Sequence, residues 1–139
     1  MAQMAEFVGN HYLLVFGLFA SWSFVMVYEL RLKALSLTNV TTADSVRLIN
    51  KGAMIIDVRG AEAFESGHIV NARNISLDEL ESNKELAKKQ KNKTLLTVCD
   101  NGASASKAAS VLRNAGFENS FSIKGGLQSW RAENLPIVK

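Results

Sequence analysis

An apolar segment near the N-terminus constrains the structure of this chain more than any other feature. From Tyr12 to Tyr28 the sequence contains no charged residue, and Ser21 and Ser23 are its only polar residues apart from the two terminal tyrosines. Extended to Leu30, this segment would form a helix about 28 Å long, close to the thickness of the hydrocarbon core of a bilayer. Tyrosines at both ends suit the membrane interface. The sequence therefore predicts one transmembrane helix at residues 12–30.

A buried core helix and a cleaved signal peptide are the alternative interpretations of this segment. A core helix of this length normally carries a polar stripe, and the segment has none. A signal peptide begins with a basic region, whereas Met1 to His11 contains Glu6 and neither Lys nor Arg. We therefore predict an uncleaved anchor in the lipid bilayer, with a short tail at residues 1–11 and a linker at residues 31–37.

The charges that flank the anchor predict its orientation. Arg31 and Lys33 follow it and no basic residue precedes it, which favours a cytoplasmic location for the C-terminal part. All 16 basic residues lie from Arg31 onward, while Glu6 and Glu29, two of the 13 acidic residues, precede it, so this part carries a net charge of +5. Attraction to an anionic membrane surface is one consequence. Nucleic acid is not an expected partner, because the basic residues are scattered and aromatic residues are few beyond the anchor.

The remainder of the chain alternates strand and helix patterns, which predicts an α/β domain at residues 38–139 with a parallel sheet between helices. The segment 53–58 is apolar apart from Asp57, and the segment 94–98 is apolar apart from two threonines, as expected of parallel strands buried on both faces. Shorter strands are expected at 72–75 and 120–123. Helices are expected from Thr41 and Thr42 onward and at 61–65, 77–89, 105–115 and 127–133, with Gly116 ending the fourth of them.

Cys99 lies where an open parallel sheet places its ligands, beyond the carboxyl end of a strand. It directly follows the apolar segment 94–98, at the end of that strand, and begins a polar loop that runs directly into a helix. Backbone N–H groups of such a loop can converge on one point, and the helix dipole adds positive potential, so a thiolate or a bound anion would be stabilised there. A cysteine in a strand is commonly an inert small hydrophobe, but this position favours a reactive thiol.

These residues resemble a known family. The loop Cys99-x-x-Gly102-x-Ser104 and the apolar helix after it are similar to the active-site loop of rhodanese-like sulfurtransferases. Matches to the family's N-terminal and C-terminal signatures extend the resemblance to residues 38–137. The matching residues are Asp57-Val58-Arg59, Phe64, Gly67-His68-Ile69, Ala72, Asn74-Ile75, Gly125-Gly126-Leu127 and Trp130. An anchor ahead of one such domain also resembles a group of bacterial inner-membrane proteins. That implies a single-pass inner-membrane location, with the N-terminus outside and the domain in the cytoplasm.

The resemblance implies persulfide chemistry. The Cys99 thiolate would attack the outer sulfur of thiosulfate or of a protein persulfide, and a thiophilic acceptor would then remove that sulfur. The backbone N–H groups of the loop would hold the persulfide, and the substrate-binding residues are Asp100, Asn101, Gly102, Ala103 and Ser104. No cofactor is expected, because the sulfur is carried covalently on Cys99. One cysteine and two scattered histidines also make a metal site unexpected.

The resemblance suggests roles for three of the matching residues. Asp57 and Arg59 resemble the pair that braces the cysteine loop from a neighbouring strand, and an ordinary structural ion pair is the alternative. For His68 a structural hydrogen bond is favoured over catalysis.

The loop departs from the family pattern in its charge. Many rhodaneses carry a basic residue after the cysteine or near the end of the loop, where this chain has Asp100 and Ser104, and Ala105 replaces a frequent serine. A carboxylate beside the thiol disfavours its anion and repels dianionic thiosulfate, so we expect weak activity with thiosulfate and a neutral or protein-bound donor. Related arsenate reductases and phosphatases need an arginine at the position of Ala105, and both activities are disfavoured.

Two functions remain open from the sequence. The first is a membrane-anchored sulfurtransferase or persulfide carrier. The second is a catalytically weak interaction module that recruits or regulates an integral membrane protein or complex, for which Gly17 and Ser21 offer a small-residue face on the anchor.

Overall fold

The computed structural model describes residues 7–82 and 92–139. The first six residues of the predicted tail and the end of the helix expected at 77–89 lie outside this description. The chain divides into two compact units, Met1–Ala34 and Leu35–Lys139.

The first unit is dominated by the helix α1, Tyr12–Ser36. By length and composition, its stretch Tyr12–Ala34 could cross a membrane. The apolar residues of this stretch are not buried within the protein. A core helix would instead bury large side chains such as Leu13, Phe16 and Leu18, which are exposed here. The helix continues without a break beyond Leu30, through most of the residues assigned to the linker.

Five parallel strands form the sheet of the second unit. They are β1 (Asn39–Val40), β2 (Met54–Asp57), β4 (Arg73–Asn74), β5 (Leu95–Val98) and β6 (Ser120–Ile123), and their order across the sheet is β1-β6-β5-β2-β4. A separate antiparallel pair joins β3 (His68–Ile69) to β7 (Ile137–Val138). The connecting helices are α2 (Thr42–Asn50), α3 (Ala61–Ser66), α4 (Leu77–Ser82), α5 (Ala103–Asn114) and α6 (Gly126–Ala132).

Two apolar clusters cover the two faces of this sheet. Ile56 packs with Leu80 of α4 and Leu112 of α5. The preceding residue, Ile55, packs with Trp130 of α6 in the other cluster. Successive strand residues point to opposite faces, so a strand between two helical layers must be apolar at consecutive positions. This confirms the predicted α/β fold, with a central parallel sheet flanked by helices.

Local side-chain chemistry fixes several of the helix starts. Thr41 is the N-cap of α2, and its hydroxyl accepts the N–H of Asp44 at 3.2 Å. Ser76 and Glu79 form a reciprocal capping box at the start of α4, in which each side chain accepts the other residue's backbone N–H. Gly102, left-handed at φ 96°, precedes α5. That helix therefore begins at Ala103, two residues earlier than predicted.

Candidate active site at the Cys99 loop

Cys99 directly follows β5, which lies between β2 and β6 in the sheet. Its backbone continues through Asp100 and Asn101 to Gly102 and the first turn of α5. The side chain is almost fully buried, at 4% exposed. The sheet and the helix thus place the sulfur at the carboxyl edge of the strands and at a helix N-terminus, as the sequence predicts.

Two backbone N–H groups donate to the sulfur of Cys99. The N–H of Gly102 lies 3.0 Å from Sγ and that of Ala105 lies 3.4 Å from it. The N–H of Ala103 points elsewhere and donates to Oδ1 of Asn101 at 3.0 Å. Donors fixed in this way stabilise negative charge on the sulfur, because they are already oriented before the charge forms.

The start of α6 holds the backbone of the cysteine loop through hydrogen bonds. The N–H of Leu127 donates to the carbonyl of Cys99 at 2.7 Å, and the N–H of Gln128 donates to that of Asp100 at 3.0 Å. A Cβ at Gly126 would lie 2.3 Å from the Cys99 carbonyl oxygen, so only glycine fits. From the sequence this glycine pair is a turn that matches the family's C-terminal signature, with no contact to the cysteine loop predicted. The adjacent glycines were the only available signal of such a close backbone approach.

Asp57 and Arg59 form a buried ion pair beside the loop. Nη2 of Arg59 lies 2.8 Å from Oδ2 of Asp57, and the side chains are 5% and 0% exposed. Nε of Arg59 also donates to both carboxylate oxygens, at 3.0 and 3.1 Å. This hydrogen bonding with Asp57 raises the pKa of Arg59, which therefore stays charged.

Arg59 also connects Asp57 to the cysteine loop. Its Nη1 donates to Oδ1 of Asp100 at 3.3 Å, and its Nη2 donates to the carbonyl of Gly67 at 2.7 Å. Asn74, which the sequence offers only as part of the family signature, donates from Nδ2 to the carbonyls of Asp57 and Arg59 at 3.1 and 2.8 Å. The pair resembling a loop brace is thus in direct contact with a loop residue.

A cleft of about 280 Å³ opens over Cys99. Its lining residues are Val58, Arg59, Gly60, Ala63, Cys99, Asp100, Asn101 and Ser104. Of the five residues predicted to bind substrate, Asp100, Asn101 and Ser104 lie here. Gly102 and Ala103 line a neighbouring polar depression instead, together with Asn39, Ser106 and Lys124.

The remaining features lie away from the sulfur. The His68 ring stacks on Phe64, and its Nδ1 lies 2.9 Å from the carbonyl of Phe64, a structural contact as favoured from the sequence. An apolar pocket of about 230 Å³ beside Trp130 contains none of the predicted site residues. Within residues 7–82 and 92–139 no group of three or more His, Cys, Asp or Glu could hold a metal ion.

Comparison with known proteins points to one family. The sequence profile of the Rhodanese-like domain matches residues 41–133. Over its full length the chain is 32% identical to the uncharacterized protein YibN of Escherichia coli strain K12, covering 99% of that protein. Over 85 residues it is 38% identical to the thiosulfate sulfurtransferase GlpE of Pseudomonas savastanoi pv. phaseolicola, covering 61% of this chain and 78% of that one.

A solved structure agrees with these matches. The crystal structure of a rhodanese-related protein from Thermoplasma volcanium superposes with a TM-score of 0.66 at 29% identity, covering 72% of this chain and 96% of that one.

Proposed function

This chain belongs to the rhodanese-like domain family, and we propose that it is a membrane-anchored sulfurtransferase or persulfide carrier acting through Cys99. The observation that carries the proposal is the environment of Sγ. Sγ accepts hydrogen bonds from the N–H groups of Gly102 and Ala105. It lies at the N-terminus of α5, in a cleft of about 280 Å³. That cleft is large enough for a small sulfur donor or for the end of a peptide side chain.

The proposed reaction consists of two exchanges of S–S bonds. The Cys99 thiolate attacks the outer sulfur of a donor R–S–S⁻, which forms Cys99–S–S⁻ and releases R–S⁻. With thiosulfate the leaving group is sulfite. An acceptor nucleophile then attacks the outer sulfur of the persulfide, takes that sulfur, and leaves the Cys99 thiolate regenerated. Both steps conserve charge and need no external oxidant, so the chemistry requires no cofactor.

The loop contributes by fixing donors around the charged sulfur. The N–H groups of Gly102 and Ala105 stabilise the thiolate. The N–H groups of Asp100, Asn101 and Ser104, whose residues line the cleft, would stabilise the terminal sulfur of the persulfide. Asp57 and Arg59 act as positioning residues, since Arg59 contacts Asp100 and its partner Asp57 is fixed in β2.

The anchor would hold this domain at the cytoplasmic face of a bacterial inner membrane. Support comes from the length and composition of α1 and from Arg31 and Lys33 after its apolar part. An acceptor or donor protein in the same membrane would then meet the cleft at raised effective concentration.

An interaction module is the second candidate function. The support for it lies in α1, whose apolar side chains are exposed and whose Gly17 and Ser21 offer a small-residue face for contact with another membrane helix. In that case Cys99 would be dispensable, and the Cys99→Ser variant would keep every contact of the wild type.

Transfer of sulfur to cyanide, measured as thiocyanate, tests the proposal. The full-length chain in detergent micelles receives a cysteine-persulfide peptide as donor, with Cys99→Ser as the variant. We expect thiocyanate formation that saturates with donor in the wild type and falls to the uncatalysed rate in Cys99→Ser. Equal rates for the two proteins would refute sulfur transfer through Cys99. If Cys99→Ser also formed the same crosslinks to other proteins in cells as the wild type, the result would favour the interaction module.

A further inference from the structure

We propose that Asp100 makes the Cys99 cleft selective for sulfur donors that carry no negative charge beyond the transferred sulfur. The class that fits is a persulfide on a cysteine with neutral or basic neighbours, and the class disfavoured is the dianion thiosulfate. This inference rests on the proposed sulfur transfer and adds the substrate class to it.

The guanidinium of Arg59 is already committed to protein partners. Its Nε–H donates to Asp57, one Nη2–H also donates to Asp57 and the other to the Gly67 carbonyl, and one Nη1–H donates to Asp100. A guanidinium has about five N–H donors, so a single one on Nη1 remains. The bidentate recognition of an oxyanion that makes arginine effective needs two parallel donors.

The side chains at the cleft therefore carry a net negative charge, which opposes any anionic group beyond the sulfur that the loop N–H groups hold. Arg59 and Asp100 are the charged residues that line it, and their side chains are 5% and 67% exposed. The charge of Arg59 is balanced by Asp57 at 2.8 Å. One cation and two carboxylates leave this cluster with a charge of −1, and the exposed member is Asp100. Lys124 lines the neighbouring depression and not this cleft.

The chemistry of the donors determines what this charge does. Thiosulfate brings two negative charges and releases sulfite, which is also a dianion, so repulsion opposes both its approach and its transition state. A persulfide R–S–S⁻ brings one charge on the sulfur that the loop N–H groups hold, and R–S⁻ leaves as a thiolate that basic neighbours stabilise. Such neighbours would also contact Asp100 favourably.

Asp100→Asn removes the charge and keeps an oxygen that can accept from Arg59. At a separation of about 6 Å in a water-like dielectric, the repulsion between a carboxylate and a dianion corresponds to about a tenfold change in binding. Glu118→Gln is the matched control, because Glu118 is an exposed acidic residue before β6, at the opposite end of the sheet.

The experiment measures the rate at which full-length protein in detergent micelles gains sulfur on Cys99. The donors are thiosulfate and two cysteine-persulfide peptides, one flanked by lysines and one by glutamates. In the wild type we expect the lysine peptide to react fastest. In Asp100→Asn, kcat/KM should rise about tenfold for thiosulfate, rise clearly for the glutamate peptide, and fall for the lysine peptide, which loses its attraction to the carboxylate. Glu118→Gln should match the wild type with every donor.

Two results would overturn the selectivity while leaving sulfur transfer intact. One is an Asp100→Asn variant that changes all three rates by the same factor. The other is a Glu118→Gln variant that gives the same gain with thiosulfate. If no donor places sulfur on the wild type or on either variant, the proposed function fails and the selectivity fails with it.

Discussion

Replacing Arg59 by alanine removes the cation of the only buried ion pair found among the described residues. The variant leaves the carboxylate of Asp57, 0% exposed, without its partner at 2.8 Å, and the Gly67 carbonyl loses a hydrogen bond of 2.7 Å. Removing one partner of a buried pair costs about 3–5 kcal/mol. The backbone N–H of residue 59 keeps its bond to Asp57 at 3.0 Å, so we expect a loss near the lower value, about 3 kcal/mol.

Urea unfolding of the full-length chain in detergent micelles measures this loss. Trp130, which is 3% exposed, reports unfolding of the domain by fluorescence once Trp22 of α1 is replaced by phenylalanine. With a slope of about 1–1.5 kcal/mol per M for a domain of this size, the midpoint should fall by about 2–3 M. Because hydrogen bonding with Asp57 raises the pKa of Arg59, its contribution is lost only in strong alkali. Arg59 stays protonated in both states between about pH 6 and 9, so its titration should not change the free energy of unfolding that Arg59→Ala loses over this range.

Two further variants make the reasoning refutable. Combining Arg59→Ala with Asp57→Asn removes the stranded charge, and the double variant should be more stable than Arg59→Ala by at least about 1 kcal/mol. Arg47→Ala breaks the exposed pair with Asp44, whose side chains are 77% and 50% exposed, and should cost under about 0.5 kcal/mol. A loss below about 1 kcal/mol for Arg59→Ala, or a double variant no more stable than it, would contradict a buried-charge origin.

Two other predictions concern the loop and the anchor. Gly126→Ala would place Cβ 2.3 Å from the Cys99 carbonyl oxygen and displace the loop, so sulfur transfer to cyanide should fall at least about tenfold. Gly116→Ala is the control, since Gly116 also has a positive φ but has no atom near its Cβ; it should lower stability by about 1 kcal/mol and leave the rate unchanged. A cytoplasmic reporter fused after Lys139 should be active and a periplasmic one inactive, and the reverse pattern would contradict the orientation predicted from Arg31.

The fold was predictable because its strongest signals are local. The segments 53–58 and 94–98 each contain apolar residues at consecutive positions. This pattern follows directly from burial on both faces, as Ile55 and Ile56 show by packing in opposite clusters. The position of Cys99 beyond β5 follows from the same pattern. The strands β1, β3 and β7 have two residues each, too few to show an alternation, and they were missed. The equally short β4 was found because Ala72 and Ile75 flank it and extend the pattern to 72–75.

The parts of the site that were missed depend on contacts between distant segments. Gly126 is 27 positions beyond Cys99 in the sequence, yet its missing side chain decides whether the loop can pack. Asn74 carries no local signal of its bonds to the carbonyls of Asp57 and Arg59. The sequence predicted that Asp100 would repel anions, but it did not show that Asp100 also occupies a donor of Arg59.

Sulfur transfer through Cys99 is tested most directly by the intact mass of the full-length chain after incubation with a cysteine-persulfide donor. We predict a gain of one sulfur, about 32 Da, that is absent in Cys99→Ser and is removed when cyanide is added. An unmodified mass in folded protein with every donor, or the same gain in Cys99→Ser, would contradict the account.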